Sequence, residues 1–427
     1  MSIYKITKPI RLIELFAGIG SQAMALKAIG ANFEHWKVVE FDKYAIKSYN
    51  AIHGTDFPTL DITQIHGKDL EIVDTDKYEY IMFYSFPCTS ISVAGRMEGM
   101  EEGGQAASSL LWEVRRLLNE CETLPQILIM ENVTQIHSKK NLPHFKKWLE
   151  FLKNKGYNTY YADMNAKDYG VAQSRNRTIA VSILGDGGFV FPKTYSLTKT
   201  MKNYLEDDVD EKYYLTSEKA RNLIDRLIKE DRLSECCMMN TQSSAVIGQM
   251  DNTVDHTFES ANRVYDVNAL SPTLPTCCGG GHQPKIVECV AMRGRGEDNE
   301  QQLEVRDGGI TNTITTVQKD NMILEQSIVD DFYANRDLRV YKETSPTIRA
   351  ERQGLKVVEE WVWEVDGQKY LIRIRKLTPR ECWRLMDFSD EDFNKAQAVC
   401  SSTQLYKQAG NSIVKNVLCE IFKELIL

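Results

Sequence analysis

The chain has 427 residues, of which 42% are hydrophobic and 26% are charged, so it can bury a large core and is not an intrinsically disordered chain. Its formal net charge of −8 does not by itself indicate a nucleic-acid partner. Ten cysteines without a secretory signal, and no apolar stretch of membrane-spanning length, predict a soluble cytoplasmic protein with reduced thiols.

The first 185 residues alternate strand and helix signals. Leu60, followed by Asp61-Ile62, is expected to end one further short strand. The other strands are predicted at 10–15, 36–40, 80–85, 126–130 and 178–184, and the helices at 22–29, 109–120 and 143–155. This alternation predicts an α/β fold with a doubly wound, mostly parallel sheet.

From about residue 187 the sequence changes to short β-rich runs separated by Thr, Asn, Gly and Pro, which predicts a smaller second domain. A weak repeat relates residues 263–288 to 339–359, with a degraded copy at 309–325. The repeat either builds a core from duplicated hairpins or presents side chains from its turns to a groove, and the sequence leaves both interpretations open.

Helix signals return near the end of the chain. Thr378 is expected to cap a helix over 379–386 that has Pro379 in its first turn. The last helix, 413–427, carries a one-sided apolar stripe, so we expect it to pack back on the first domain.

A glycine-rich turn follows the first strand. Phe16, Ala17, Gly18 and Gly20 open the next helix, and Glu40 ends the second strand, where a carboxylate can accept the hydroxyls of a ribose. This pair of features suits a nicotinamide cofactor as well as any other adenosine nucleoside, and a purely structural turn also explains the glycines. Taken alone, Asp61 is a helix or turn cap.

Chemically useful side chains follow other strands of the same sheet. Cys88 comes directly after Pro87, which cannot continue a strand, so its thiol is expected at the carboxyl edge of the sheet. Glu131 ends the strand 126–130 at the same edge. Arg175 and Arg177 alternate before the strand 178–184, which places both on one face, where they are expected to favour the thiolate of Cys88.

The ordered series of these motifs resembles that of the DNA (cytosine-5) methyltransferases of prokaryotes and phages. The resemblance covers residues 11–184 and 375–427 and rests on the following segments: 16–20, Glu40, Asp61-Ile62, Phe86-Pro87-Cys88, Glu131-Asn132-Val133, 173–177, 375–381 and 408–412. It implies a Rossmann-like S-adenosylmethionine-binding catalytic domain at 1–186, a β-rich target-recognition domain with degenerate hairpin repeats at 187–374, and a returning segment at 375–427.

The resemblance also implies residue roles. Cys88 is the nucleophile that adds to a flipped-out cytosine, and Glu131, Arg175 and Arg177 complete the catalytic set. S-adenosylmethionine is held by Phe16, Ala17, Gly18, Gly20, Glu40, Phe41, Asp61, Ile62, Pro87, Asn411 and Ser412. The expected partner is double-stranded DNA, contacted by a monomer without membrane or metal; a companion restriction nuclease is left open.

Several features leave alternatives open. Thr89 replaces the glutamine that many family members carry, which affects how the vacated base stack is filled. Residues 95–105 have the glycine content of a mobile lid. Candidate DNA contacts are Arg293, Arg295, Arg349 and Arg352, and a zinc site is disfavoured because the pairs Cys236-Cys237 and Cys277-Cys278, near His282, lack the usual two-residue gap.

Three other functions share part of this pattern. An oxidoreductase uses the glycine turn but needs neither Cys88 nor Glu131. A tRNA cytosine-5 methyltransferase has matching motifs, although the long inserted region favours a reader of duplex DNA. A non-catalytic DNA-binding protein is disfavoured because every residue that the reaction needs is present.

Overall fold

The structure is a computed structural model. It describes residues 2–88, 91, 100–215, 217–229, 245–251, 262–274, 283–294, 301–304, 327–330, 339–341, 355–358, 362–365 and 368–427.

The first sheet has six strands and is mostly parallel. Its strands are β1 (Ile10–Leu15), β2 (Phe33–Val39), β3 (Glu79–Tyr84), β4 (Ile127–Val133), β5 (Tyr157–Asn165) and β6 (Asn176–Leu184), in the order β2-β1-β3-β4-β6-β5. Only β6 runs antiparallel to both of its neighbours. The predicted α/β fold is therefore confirmed. The prediction of a short strand that ends at Leu60 is wrong, because Leu60 lies in an irregular segment.

Helices cover both faces of this sheet. They are α1 (Ser21–Ala28), α2 (Lys43–His53), α3 (Leu111–Glu120), α4 (Leu142–Asn154), α6 (Pro379–Arg384), α7 (Asp390–Gln397), α8 (Ser402–Asn411) and α9 (Lys415–Ile426). A further helix, α5 (Glu218–Lys229), packs elsewhere, in a core with Ile247, Val264 and Ile374. Phe83 and Ile129 share a core with α1 and α9, whereas Met82 and Met130 share another with α3 and α4. Successive residues of one strand thus enter opposite cores, as the pleat requires.

The described strands beyond residue 187 form two further sheets. They are β7 (Val246–Gln249), β8 (Arg263–Tyr265), β9 (Lys285–Gly294), β10 (Gln301–Glu304), β11 (Ser327–Asp330), β12 (Arg339–Tyr341), β13 (Leu355–Val358), β14 (Val362–Val365) and β15 (Gln368–Lys376). One sheet has the order β14-β15-β9-β8-β7, with β10 on β9, and the other β12-β11-β13. Tyr265, Leu270 and Ile286 belong to the same core as α1 and α9, so this region is packed against the first sheet.

The returning segment closes the fold. Thr378 caps α6 as expected, with Pro379 in its first turn, and α9 packs on α1 through a core that includes Leu26 and Phe422. The guanidinium of Arg375, at the end of β15, forms two hydrogen bonds of 2.8 Å with the carboxylate of Glu381 in α6, and both side chains are fully buried. No helix in the described part of the chain has the length and apolar character needed to cross a bilayer.

Candidate active site

A cavity of about 1290 Å³ lies at the carboxyl edge of the first sheet. Its walls bring together most of the side chains that the sequence indicates: Phe16, Gly18, Glu40, Phe41, Asp61, Ile62, Pro87, Cys88, Glu131, Arg175, Arg177, Asn411 and Ser412. Two predicted residues, Ala17 and Gly20, are not among its walls. The cavity therefore joins a glycine turn at one side to a thiol, a carboxyl and two guanidinium groups at the other.

The glycine turn presents backbone to the cavity. Gly18 has φ +58°, and a side chain built at its Cα would meet no atom within 4 Å. Its N–H donates to Glu40 Oε2 over 2.8 Å, and the N–H of Asp42 donates to Glu40 Oε1 over 2.7 Å. Burial raises the pKa of Glu40 despite these two donors. The carboxylate thus holds the turn and the next loop together while it lines the cavity.

Ala17 and Gly20 support the turn from behind. Ala17 is buried in a small cluster with Val38, and its N–H donates to the carbonyl of Val39 over 3.1 Å. Gly20 has φ +82°, and a Cβ there would lie 2.4 Å from Nε2 of His53. The left-handed backbone and the close packing thus both favour glycine here, and the cofactor contact expected from the sequence stays a prediction.

A buried polar cluster lies beneath the same turn. Tyr49 donates to Glu14, and its hydroxyl lies 2.6 Å from Nδ1 of His35. Burial raises the pKa of Glu14 to about 8 and lowers that of His53 to about 3, so His53 is neutral near pH 7. Its Nε2 lies 3.1 Å from the carbonyl of Ile19 and must carry the proton, because a carbonyl only accepts. The cluster fixes a piece of backbone that lines the cavity.

Asp61 is a cap as well as part of the cavity wall. Its carboxylate accepts hydrogen bonds from the backbone N–H of Thr63 over 2.9 Å and from the Thr63 hydroxyl over 2.8 Å. These bonds start a 3-10 turn over Ile62–Gln64 and place the buried side chain of Ile62 beside it. The capping interpretation of Asp61 is therefore observed, without excluding a ligand contact.

The pairing of β4 with β6 brings an acidic and a basic side chain together. Val133 lies opposite Arg177 in the antiparallel register, so Glu131, two residues before Val133, shares a face with Arg177. Nε of Arg177 lies 3.1 Å from Oε1 of Glu131. Burial raises the pKa of Glu131, although Arg177 and Arg175 lower it.

Arg175 mainly holds backbone. One of its guanidinium nitrogens donates to the carbonyls of Gly410 and Ser412 over 2.8 Å each, and the other to the carbonyl of Leu274 over 3.3 Å. Burial and the neighbouring Arg177 lower the pKa of Arg175 to about 9. These bonds hold the segment that carries Asn411 and Ser412, both of which line the cavity.

Cys88 is a partly buried free cysteine. Burial raises the pKa of its thiol, and Glu131 raises it further, whereas Arg177 and Arg175 lower it. The net effect favours the neutral thiol in this structure. The arginines act in the expected direction, because both lower the pKa of Cys88, but burial and the Glu131 carboxyl outweigh them.

The returning segment and the first repeat unit complete the walls. Nε2 of Gln408 in α8 donates to the hydroxyl of Ser48 over 2.9 Å, which docks α8 on α2 beside the cavity. Thr273 and Leu274, from the turn of the first repeat unit, line the cavity, and Thr273 donates to the carbonyl of Ser174 over 2.6 Å. This turn thus lines the cavity, while Leu274 and Ile286 of the same unit lie in the core, so both interpretations of the repeat stay open.

Several features predicted from the sequence involve residues that the structure does not describe. Thr89, residues 95–99, Arg295, Arg349, Arg352 and the candidate zinc ligands Cys236, Cys237, Cys277, Cys278 and His282 lie outside the described residues, and for Arg293 only its place in β9 is described. Within the described ranges there is no group of three or more side chains suited to a metal ion.

Sequence reasoning missed residues that support the thiol. Asn132 donates to the carbonyl of Phe86 over 3.0 Å, and Ser108 donates to that of Pro87 over 2.7 Å. Asn132 stands next to Glu131 in its motif, which is a usable signal. Ser108 carries no such sequence signal, because a serine just before a helix is interpreted as an ordinary N-cap.

Comparison with known proteins agrees with this arrangement. A family model described as C-5 cytosine-specific DNA methylase matches residues 10–427. The orphan methyltransferases M.SPRI of Bacillus phage SPR and M.SPBetaI of Bacillus phage SPbeta are 31% and 30% identical, each over 98% of this chain and 97% of their own. The type II methyltransferase M2.ScrFI of Lactococcus lactis subsp. cremoris is 27% identical over 97% of this chain and 99% of its own.

Solved structures share the fold. The Entamoeba histolytica methyltransferase EhMeth superimposes with a TM-score of 0.58 at 16% identity, and the S. pombe Dnmt2 methyltransferase with 0.55 at 17% identity, each over 98% of both chains. Methyltransferases of this family use S-adenosylmethionine as methyl donor and DNA as substrate. On the match across residues 10–427 and these relatives, the chain belongs to the C-5 cytosine-specific DNA methylase family and is a DNA (cytosine-5)-methyltransferase.

Proposed function

We propose that the protein methylates carbon 5 of a cytosine rotated out of duplex DNA, through a transient bond between Sγ of Cys88 and carbon 6 of the base. The observation that carries this proposal is the meeting of Cys88, Glu131 and Arg177 at one side of a cavity whose other side is the Gly18 turn with Glu40. Carbon 6 is stacked inside a duplex, so the base must leave the helix to reach the thiol.

The residue types suit the chemistry. Carbon 5 of cytosine is too weak a nucleophile to accept a methyl group directly, and addition of a thiolate to carbon 6 turns it into an enamine carbon. Negative charge then grows on the ring. Arg177 is positioned to stabilise that charge at the carbonyl oxygen, and loss of the proton from carbon 5 after methylation allows the Cys88 sulfur to leave.

Glu131 is suited to donate a proton at ring nitrogen 3. Because burial raises the pKa of Glu131, its carboxyl keeps a proton at higher pH than an exposed glutamate does. The same carboxyl, when ionised, raises the pKa of the Cys88 thiol. Protonation of Glu131 on contact with the base therefore supports both thiolate formation and charge neutralisation on the ring.

The glycine side of the cavity fits S-adenosylmethionine. The space in front of Gly18 is open to a ligand, and Glu40 offers a partly buried carboxylate for ribose hydroxyls. Phe41, which is 75% exposed, offers an aromatic face for the adenine base. We assign Phe16, Asp61, Ile62, Pro87, Asn411 and Ser412 to the same ligand. When bound, it supplies the electrophilic methyl group.

The test is a Cys88→Ala variant. We expect turnover to fall by on the order of 10³-fold or more, because Cys88 is the one thiol among the described walls of the cavity. Binding of S-adenosylmethionine and of DNA, measured by titration calorimetry and gel shift, should stay close to wild type.

Cys121→Ala is the matched control, because this partly buried thiol lies outside the cavity walls. Duplex DNA containing 5-fluorocytosine should trap the wild-type enzyme in a covalent adduct, since fluorine cannot leave as a proton does. Mass spectrometry that finds no adduct at Cys88, or a Cys88→Ala variant that turns over normally, contradicts the proposal.

We further propose double-stranded DNA rather than tRNA as the substrate, and a sequence-specific role compatible with restriction-modification. The names of the relatives support this, since they are orphan phage and type II methyltransferases. Methyl transfer to duplex DNA and to tRNA, compared at equal concentration, separates the two substrates. Bisulfite sequencing of DNA from cells that express the protein identifies the methylated sequence.

A further inference from the structure

Three consecutive backbone carbonyls hold the segment that carries the proposed nucleophile. The carbonyl of Phe86 accepts from Asn132 over 3.0 Å, that of Pro87 accepts from Oγ of Ser108 over 2.7 Å, and that of Cys88 accepts from the N–H of Ile91 over 3.0 Å. The segment has left β3 by this point, so no strand partner fixes it.

Pro87 makes these carbonyls important. A proline has no N–H to donate, and its ring fixes φ near −65°, so ψ is the one free backbone torsion between Pro87 and Cys88. The peptide that joins the two residues is planar. A hydrogen bond to the Pro87 carbonyl therefore sets the orientation of the plane that ends at the Cα of Cys88, and with it the position of the atom from which the thiol projects.

Ser108 is well placed to control that plane. It is fully buried and belongs to a 3-10 turn over Ala107–Leu110, whose first and last residues line the cavity. Its hydroxyl points to Pro87 instead of the cavity. Asn132 links the thiol segment to the strand of Glu131, whereas Ser108 links it to the wall that leads into α3.

We propose that Ser108 is a positioning residue for the Cys88 thiol, acting through the Pro87 carbonyl without touching substrate. The inference rests on the proposed role of Cys88 and adds a residue that no motif of the sequence indicated. Its loss should slow addition of the thiol to the base and leave ligand binding unchanged, because misplacement of a reacting atom acts on the chemical step.

The experiment measures thiol addition without the methyl donor. Reversible addition of Cys88 to carbon 6 makes carbon 5 exchange its hydrogen with water, so DNA tritiated at carbon 5 of cytosine releases tritium. For Ser108→Ala in the full-length enzyme we expect the saturated exchange rate to fall about 10- to 100-fold. The DNA concentration at half-saturation and the S-adenosylmethionine affinity should change by less than about twofold.

Ser109→Ala is the matched control. Ser109 is the next residue, is also buried, and its hydroxyl has no hydrogen-bond partner among the described residues. It should exchange tritium at the wild-type rate. Ser108→Thr keeps a hydroxyl and should recover most of the rate, which a purely structural effect of the alanine does not predict.

The outcomes separate the two proposals. Wild-type enzyme that forms no fluorocytosine adduct and releases no tritium overturns the role of Cys88 itself. Wild-type exchange with an equally fast Ser108→Ala overturns the role of Ser108 alone. If Ser108→Ala does not fold, as judged by cofactor titration, the threonine variant decides: a folded Ser108→Thr that exchanges no faster than a tenth of the wild-type rate contradicts the inference.

Discussion

Burial acts on the Cys88 thiol and on the Glu131 carboxyl in the same direction, since it favours the neutral form of each. The two groups also act on each other, because an ionised Glu131 raises the pKa of Cys88. The free enzyme therefore holds a weakly reactive thiol, and the charge state of one carboxyl controls how reactive it becomes.

This coupling predicts the effect of Glu131→Gln on thiol reactivity. Removing the negative charge lowers the pKa of Cys88, so more thiolate is present at neutral pH and alkylation by iodoacetamide becomes faster there. At a pH well above the pKa of the Cys88 thiol in both the variant and the wild type, the two alkylation rates should converge. Alkylation of the Cys88 peptide, followed by mass spectrometry from about pH 6 to 10, gives both midpoints.

Asp163→Asn is a suitable control, because Asp163 is an acid of β5 whose carboxylate bonds to Thr178 and is not among the groups that shift Cys88. An unchanged alkylation midpoint in Glu131→Gln means that Glu131 is neutral over this range, and the coupling is then absent.

At the scale of residues, the sequence predicts those site residues that lie near the ends of strands. Cys88 follows β3, and Glu131 lies two residues before the end of β4, where the sequence indicated the strand's end; the carboxyl ends of these parallel strands share an edge. Gly20 shows the limit: the sequence shows that a glycine is needed, but only the structure shows the left-handed backbone and the close packing against His53 that favour it. Ser108 is unpredictable because its partner is a carbonyl 21 residues away.

At the scale of elements, the returning segment depends on one buried ion pair. Arg375 and Glu381 are both fully buried, and Glu381 also accepts from the N–H of Thr378 over 2.7 Å. A single carboxylate therefore joins the end of β15 to the start of α6. Burial of such a pair is costly, and removing one partner leaves the other charge without compensation.

We therefore expect Glu381→Gln to destabilise the protein by about 3–5 kcal/mol. Urea unfolding followed by tryptophan fluorescence measures the change. Glu391→Gln, which breaks an exposed pair with Lys395 in α7, is the control and should have no measurable effect. Equal stability of the two variants would show that Arg375 finds another partner.

Element prediction succeeded where local signals were strong. The cap at Thr378 and the apolar stripe of α9 were read correctly, because both depend on nearby residues. β5 was missed since Tyr157–Asn165 mixes aromatic and polar residues at the edge of the sheet. The reversed direction of β6 could not be read, because a pattern of alternating side chains is the same in both directions.

At the scale of the whole molecule, β9 and β15 define where foreign sequence can be exchanged. They pair antiparallel from Lys285–Lys376 to Ala291–Tyr370, so residues 295–367 leave and return at neighbouring points. Residues 262–274 must stay, because Thr273 and Leu274 form part of the cavity wall.

Replacing residues 295–367 with the matching region of another family member should change the methylated sequence and leave the methyl-transfer reaction intact, because no described wall of the cavity lies in that interval. Bisulfite sequencing reads the pattern, and fluorocytosine trapping on DNA that carries the donor's site checks the chemistry. An unaltered pattern in an active hybrid would assign target recognition to another part of the chain.

The ion pair of Glu131 with Arg177 crosses the end of the β4–β6 ladder, because Glu131 lies opposite Ile179 and Arg177 lies opposite Val133 on the last rung. Ends of ladders fray more easily than their centres, and a slip by one residue turns every side chain to the opposite face. Opening of these rungs would separate Glu131 from Arg177 while the rest of the sheet stays paired. We therefore expect methyl transfer to be lost at a lower temperature than the far-UV circular dichroism signal, and coincident loss of both on heating contradicts this.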